Sequence, residues 1–345
     1  MQDNIPSIAI VILNWNGAGY LQKFLPFLLS RTDSSTARII VADNASTDNS
    51  LELLAKDFPK VQVIALDKNY GFAEGYNRAL KQAGAAEYYV LLNSDVEVAE
   101  GWLEPLKDYM NKHPEVAACQ PKIRSYDQRD AFEHAGASGG FIDRYGFPFC
   151  RGRIVSTVEK DAGQYDDIIP VFWATGACLF IRSECYWNAG GLDSKFFAHM
   201  EEIDLCWRLR SRGYQLVCIP QSVVYHVGGG TLGAESPYKT YLNFRNNLLM
   251  LYKNLPDNQR RKILFVRFFF DYAAAFQMLV SGKWNNFKSV LKARRDYKKM
   301  RSECKADRDN NLRLSCNTTI DEIYPRSIII QYYLKGKKKY TQLGF

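Results

Sequence analysis

None of the eight cysteines forms a CxxC pair, and their spacing has no period. A zinc ribbon, a dithiol redox centre and a disulfide framework are thereby disfavoured. Cys119, Cys178, Cys206 and Cys218 each sit among apolar neighbours, the surroundings of buried free thiols in a reducing compartment. The Walker A pattern and HExxH are missing as well. P-loop hydrolysis and zincin proteolysis lose their usual signatures with them, and Asn69-Tyr70-Gly71-Phe72-Ala73-Glu74-Gly75, at a strand–helix junction, lacks the dinucleotide-binding GxGxxG spacing. Internal repeats and low-complexity tracts are lacking. The first apolar run, 8–13, is too short for a signal-peptide core or a bilayer span, and no basic residue precedes it. The start therefore reads as cytosolic.

With 47% hydrophobic and 24% charged residues, the 345-residue chain can build an ordinary packed core. The net charge of +8 is uneven, since the stretch after about Tyr252 is rich in Lys and Arg and ends in Lys335-Gly336-Lys337-Lys338-Lys339. Such a stretch reads as a solvated or membrane-surface segment, with no nucleic acid as partner.

The first hundred residues alternate β-rich runs with helical patterns. Strands are expected at 7–13, 38–42, 61–65 and 88–92, and helices at 19–30, from about 51, and at 72–82. Ser46 or Thr47 is a plausible N-cap for the second helix. This alternation implies right-handed crossovers and an α/β fold with a mostly parallel sheet, whose ligands bind at the carboxyl ends of the strands. Polar residues fall at those ends: Asn14-Trp15-Asn16, Asp43, Asn69 and Asp95. Further on, 102–113 reads as a helix, 116–120 and 177–181 as strands, 203–212 as a helix and 215–219 as a strand. Residues 124–168 look irregular. After Gly228-Gly229-Gly230, a hinge-like run, the character becomes helical at 241–252 and 263–279. Arg267, Asp271 and Gln277 interrupt the last segment, which reads as an interfacial or docking helix instead of a transmembrane span. The resulting division is 1–230 for the chemistry and 231–345 for a helical, basic, peripheral region.

Two segments carry chemistry. Asn93-Ser94-Asp95 sets a carboxylate beside a second oxygen side chain at a strand end, which suits a hard divalent ion bridging phosphates; alternatively Asp95 caps the helix near Trp102. In Met200-Glu201-Glu202-Ile203-Asp204, three crowded acids repel one another, which can raise one pKa into the range of a general base. Glu202 and Asp204 cannot share a helical face, so their roles should differ. The alternative is acidic charge at a helix N-terminus. His226, which follows the 215–219 strand and Pro220, is a candidate metal or diphosphate ligand.

Together these residues resemble the family 2 glycosyltransferases, inverting enzymes of the GT-A fold, over roughly 7–230. The likeness is strongest to the bacterial branch with rhamnosyltransferases of cell-surface polysaccharides. It is carried by Val11-Ile12-Leu13-Asn14-Trp15-Asn16-Gly17, Val41-Ala42-Asp43-Asn44-Ala45-Ser46-Thr47-Asp48, Asn69-Tyr70-Gly71-Phe72-Ala73, Trp173-Ala174-Thr175-Gly176 and Gly190-Gly191-Leu192-Asp193. The resemblance implies nucleotide contacts at Asn16, Asp43, Asn69, Gly71, Asn77 and Asn93, with Asp43 on the nucleobase. Leu91-Leu92-Asn93-Ser94-Asp95 takes the place of the DxD motif, so Asp95 carries the metal, Mn²⁺ or Mg²⁺, with His226 as partner. Trp173, Gly176, Gly191, Glu201 and Asp204 fall at the acceptor or sugar, and Glu202 takes the place of the catalytic base. The implied reaction moves a hexose from a UDP- or dTDP-linked donor to a glycan or lipid-linked acceptor, with inversion, at the cytoplasmic face of the membrane.

Two rivals remain at this stage. A sugar-phosphate nucleotidyltransferase needs a Gly-rich, basic loop after its first strand, which Asn14-Trp15-Asn16-Gly17 lacks. A non-catalytic scaffold of a polysaccharide assembly would use the aromatic, basic C-terminal third.

Overall fold

The computed structural model describes residues 7–228, 236–316 and 319–345. It opens as the alternation predicts, with β1 (Ile8–Asn14), α1 (Ala18–Ser30), β2 (Ala37–Asp43), α2 (Ser50–Asp57), β3 (Gln62–Ala65), α3 (Gly71–Ala83) and β4 (Tyr88–Asn93). Next come β5 (Val96–Val98), α4 (Leu103–Lys112) and β6 (Val116–Ser125). The stretch expected to be irregular instead holds the short strands β7 (Gly140–Asp143), β8 (Pro148–Cys150), β9 (Arg153–Ile154) and β10 (Thr157–Val158). Then follow β11 (Ile169–Pro170), β12 (Cys178–Arg182), α5 (Ser183–Asn188), α6 (Glu201–Ser211) and β13 (Gln215–His226). The last third contains α7 (Pro237–Asn254), α8 (Asp257–Val280), α9 (Trp284–Met300), α10 (Lys305–Leu314), β14 (Ile323–Tyr324) and α11 (Ile328–Tyr333).

The main sheet runs β11-β13-β6-β12-β4-β1-β2-β3, with β5 paired to β13. It is mixed: β1 is parallel to β2 and β4, whereas β12 is antiparallel to both β4 and β6. Alternation along β1 explains its two covers, because successive side chains leave a strand on opposite faces. Ile8, Ile10 and Ile12 face Leu21, Leu25 and Leu28 of α1, Leu54 of α2 and Leu106 of α4. Ala9 and Val11 face the core of Tyr76, Ala79 and Leu80 from α3. A strand apolar on both sides needs helices on both sides, which is why its hydrophobic run is unbroken.

That second core does not end near residue 230. It continues through Leu248, Leu251, Tyr324, Ile328 and Leu343. β14 extends the small sheet by pairing with β7. The C-terminal third is thus packed into the same core, and a boundary at 230 would cut through one hydrophobic unit. The cap expected at Ser46 or Thr47 is also displaced: α2 starts after Asn49, and Asp48 accepts from the Ser50 backbone N–H at 3.0 Å. Of the glycine run, only Gly228 lies within the described residues.

Candidate active site

The carboxyl ends of β1, β2 and β4 adjoin one another because these strands pair in parallel and in register. Asp43 is buried at the end of β2, where it accepts from Asn14 Nδ2 at 3.1 Å and from the Ser46 backbone N–H at 2.9 Å. The Asn14 Oδ1 beside it is buried without a partner. Asn16 takes a left-handed backbone (φ 51°) and accepts from the Thr47 N–H at 2.7 Å, closing the loop after β1 on the loop after β2. Asn44 ties that loop to α3 by donating to Asn69 Oδ1 at 3.1 Å and to the Gly71 carbonyl at 3.1 Å. Gly71 has φ +72°, and a Cβ there would lie 2.5 Å from the Phe197 ring. Only glycine meets both conditions.

β4 ends at Asn93, and its neighbour Asp95 does not cap α4, whose N-cap is Trp102. Asp95 instead faces the end of β13: its Oδ1 lies 3.1 Å from His226 Nε2, and Asn93 Nδ2 lies 3.4 Å from the same nitrogen. Behind the ring, Glu133 Oε2 is 3.4 Å from Nδ1, within ion-pair range but without hydrogen-bond geometry. Burial opposes a charge on His226, but the two carboxylates outweigh it and push its pKa up to about 10. A divalent cation would take the place of the added proton on His226: a carboxylate and an imidazole face each other at two strand ends, with a second carboxylate behind the imidazole. Among the described residues no three His, Cys, Asp or Glu side chains form a ligand group, so the other coordination positions would fall to ligand oxygens and water.

The acids begin α6, which starts two residues earlier than the sequence suggests. The loop that delivers them is strained: Phe197, His199 and Met200 all have positive φ, at 65°, 69° and 74°. Three such non-glycine residues persist only where surrounding contacts over-determine them. The Phe197 carbonyl accepts from the Phe72 and Ala73 N–H groups at 2.7 and 3.1 Å, at the start of α3. From the other side, Asn246 on α7 donates to the carbonyls of Phe196, Ala198 and His199 at 2.9, 2.8 and 2.8 Å. Arg245 adds the carbonyls of Lys195 and Phe196. Neither Arg245 nor Asn246 was marked by the sequence, where both read as part of an ordinary helical pattern.

Glu201 is buried and Glu202 partly so, and the Oε2 of each, like His199 Nε2, is buried without a partner. Burial, and then repulsion by Glu202, raises the Glu201 pKa well above the carboxylate range. Burial raises that of Glu202 to about 7. Burial and then the Lys239 charge lower His199 to about 4, leaving it neutral. An acid pushed well above its usual range, an acid raised to about 7 and a neutral imidazole thus lie within four positions, each with one atom still unpaired. A Cβ built at Gly176 would lie 3.9 Å from Glu202 Cβ, and the adjacent Ala177 carbonyl accepts from the Asn93 N–H at 3.0 Å. One short loop therefore links Glu202 to the end of β4, which Asp95 follows.

Four expected site residues have other work. Asp204 is buried and spent on Arg208 Nε (2.9 Å), Lys253 Nζ (2.9 Å) and Asn254 Nδ2 (2.8 Å), so it holds α6 to α7 and has no oxygen for an acceptor. Asn77 donates to the Leu192 carbonyl at 2.7 Å and accepts from Tyr186 Oη at 2.7 Å, which fixes the 186–192 segment. Gly191 packs on that amide: a Cβ there would lie 2.6 Å from Asn77 Oδ1. Trp173 is buried and donates to the Phe141 carbonyl at 2.9 Å, joining the small sheet to the core.

Known proteins give this arrangement a family. Residues 9–182 match the family description "Glycosyl transferase family 2", half of the chain. The N-acetylglucosaminyl-diphospho-decaprenol L-rhamnosyltransferase of Mycobacterium tuberculosis is 26% identical over 248 residues, covering 68% of this chain and 80% of that protein. The low-salt glycan biosynthesis hexosyltransferase Agl10 of Haloferax volcanii is 23% identical over 72% of this chain and 76% of its own length. Among solved structures, S. aureus TarS 1-349 in complex with UDP-GlcNAc superposes with a TM-score of 0.56 at 15% identity over 89% of each chain. Mannosyltransferase PcManGT from Pyrobaculum calidifontis, with GDP-Man and Mn²⁺, gives 0.52 at 13% identity over 89% of this chain and 87% of its own. These structural likenesses show the GT-A fold. With the family match spanning β1 to β12, the chain belongs to glycosyltransferase family 2.

Proposed function

We propose that this glycosyltransferase moves a hexose from a UDP- or dTDP-linked donor to a hydroxyl of a lipid-linked or polysaccharide glycan, inverting the anomeric centre, in cell-surface polysaccharide synthesis. The observation that carries the reading is the pair of unpartnered acid oxygens on Glu201 and Glu202 beside Gly176, joined through Ala177 and Asn93 to the Asp95–His226 pair. Asp43, Asn16, Asn69, Gly71 and Asn93 line the donor side. Asp95 and His226 are the residues that would hold a divalent ion, Mn²⁺ or Mg²⁺. Such an ion, when bound, supplies positive charge beside the departing diphosphate.

Glu202 acts as general base. Its carboxylate takes the proton of the acceptor hydroxyl while the hydroxyl oxygen bonds the anomeric carbon and the nucleoside diphosphate leaves from the opposite face. General-base help of this kind contributes about 10²–10⁴-fold. Glu201, protonated, and His199, neutral, orient the acceptor by hydrogen bonds. Residues 1–230 contribute these contacts, and 231–345 position them and meet the membrane. The decaprenol-linked acceptor named for the mycobacterial relative supports a lipid-linked acceptor, and so a place at the cytoplasmic face of the cell membrane.

A thermal-shift screen of nucleotide sugars in Mn²⁺ tests the donor assignment. Ligand at a hundred times its Kd stabilises by about 2.7 kcal/mol, and a UDP- or dTDP-sugar is expected to raise Tm only with the metal present. No shift with any nucleotide sugar would overturn it.

A further inference from the structure

α8 is amphipathic in reverse. Its buried stripe carries an ion pair, with Arg267 2% and Asp271 0% exposed, bonded to each other at 3.0 Å. Arg294 of α9 also pairs with Asp271. The outward stripe is aromatic and aliphatic instead, with Phe265 65%, Phe269 58%, Phe276 63% and Val280 66% exposed. The helix is long and apolar enough to cross a membrane by length and composition, but Arg267 and Asp271 in its middle are already spent on the protein. It therefore lies along the fold with its apolar side unpartnered. A helix covered by water would carry the opposite pattern.

The charge around this stripe selects the occupant. Residues 257–301 contain twelve Lys and Arg against three Asp, more than the whole net charge of +8. Arg260, Arg261, Arg294 and Arg301 rim a cleft of about 780 Å³ whose apolar lining includes Phe265 and Phe269. A second copy of the chain would bring like charge against like charge, whereas an anionic bilayer brings acyl chains to the aromatics and phosphates to the arginines.

We infer that α8 and the adjoining face of α9 lie on an anionic phospholipid bilayer, with the arginine-rimmed cleft taking a lipid phosphate. This extends the transferase reading but uses none of its site residues. Flotation of the full chain with phosphatidylglycerol-containing vesicles tests it. The chain is expected to float with these and to stay at the bottom with pure phosphatidylcholine. R261Q and R301Q should each weaken binding about fivefold, the effect of one surface charge. F265S/F269S should abolish flotation while transfer to a water-soluble acceptor persists. Equal binding to neutral vesicles, or no flotation at all, would overturn the inference. So would a dimer in light scattering that F265S/F269S dissolves. E202Q should float like the parent protein, so a failure of the catalytic reading would leave this result distinct.

Discussion

Asn246 of α7 donates to the His199 carbonyl at 2.8 Å, so a residue from the C-terminal third fixes the left-handed turn from which Glu201 and Glu202 project. Asn246 is fully buried, and the carbonyls it reaches have positive-φ residues around them. Local geometry alone would not hold that turn.

Asn246→Ala should therefore cost about 1–3 kcal/mol of stability, the penalty for leaving buried polar groups unmet. It should also lower kcat much more than it raises the donor KM. Denaturant melts and steady-state kinetics measure both. A variant with unchanged kcat would remove Asn246 from any positioning role.

Glu202 gives the reaction a pH signature. Its folded pKa is raised to about 7, and a base must be ionised, so kcat/KM should rise with pH and level off above about 7. The same shift acts on stability with the opposite sign. The folded state keeps a proton that the unfolded chain gives up near the ordinary value of 4.5, so this group destabilises the fold increasingly from about pH 4.5 to 7. E202Q should accordingly have a higher Tm than the parent at pH 8, and the gap should close at pH 4.5. Equal Tm values at pH 8 would contradict the assignment.

Glu133 stands behind His226 and was invisible in the sequence, where it lies in a stretch without a motif. Glu133→Gln removes the carboxylate 3.4 Å from Nδ1 and should weaken Mn²⁺ binding about 10–100-fold, the usual effect of a supporting carboxylate. Titration calorimetry with Mn²⁺ in the presence of UDP reads this directly, and an unchanged affinity would detach Glu133 from the site.

Asp204 separates structure from chemistry within one motif. Asp204→Ala leaves Lys253 and Arg208 buried without their shared carboxylate and should destabilise by about 3–5 kcal/mol. Chemical denaturation measures the loss. A folded variant of normal stability with a raised acceptor KM would restore Asp204 as an acceptor ligand.

Much of the fold was legible because β1 to β4 obey local rules. Their apolar runs and the intervening helical periods need no distant information, and the polar strand ends mark the crevice. Asn93 and Asp95 could be singled out, since they fall at and just after a strand end, whereas β13 runs on past the expected 215–219 to His226. What escaped depends on contacts far apart in sequence. Trp173, Asn77 and Asp204 look like site residues by motif, yet their partners, Phe141, Leu192 and Lys253, are set by tertiary packing. The strands between 140 and 158 escaped because two- to four-residue strands have no detectable period. The aromatic stripe of α8 was visible, but the burial of Arg267 and Asp271, which turns it outward, was not.

The most direct test of the central claim is single-turnover transfer by E202Q with its donor and Mn²⁺ bound. Glu202 is assigned only the proton of the acceptor, so the variant should bind nucleotide sugar with unchanged Kd and transfer it about 10²–10⁴-fold more slowly. Transfer at the parent rate, with donor binding intact, would contradict the assignment of Glu202 as the base.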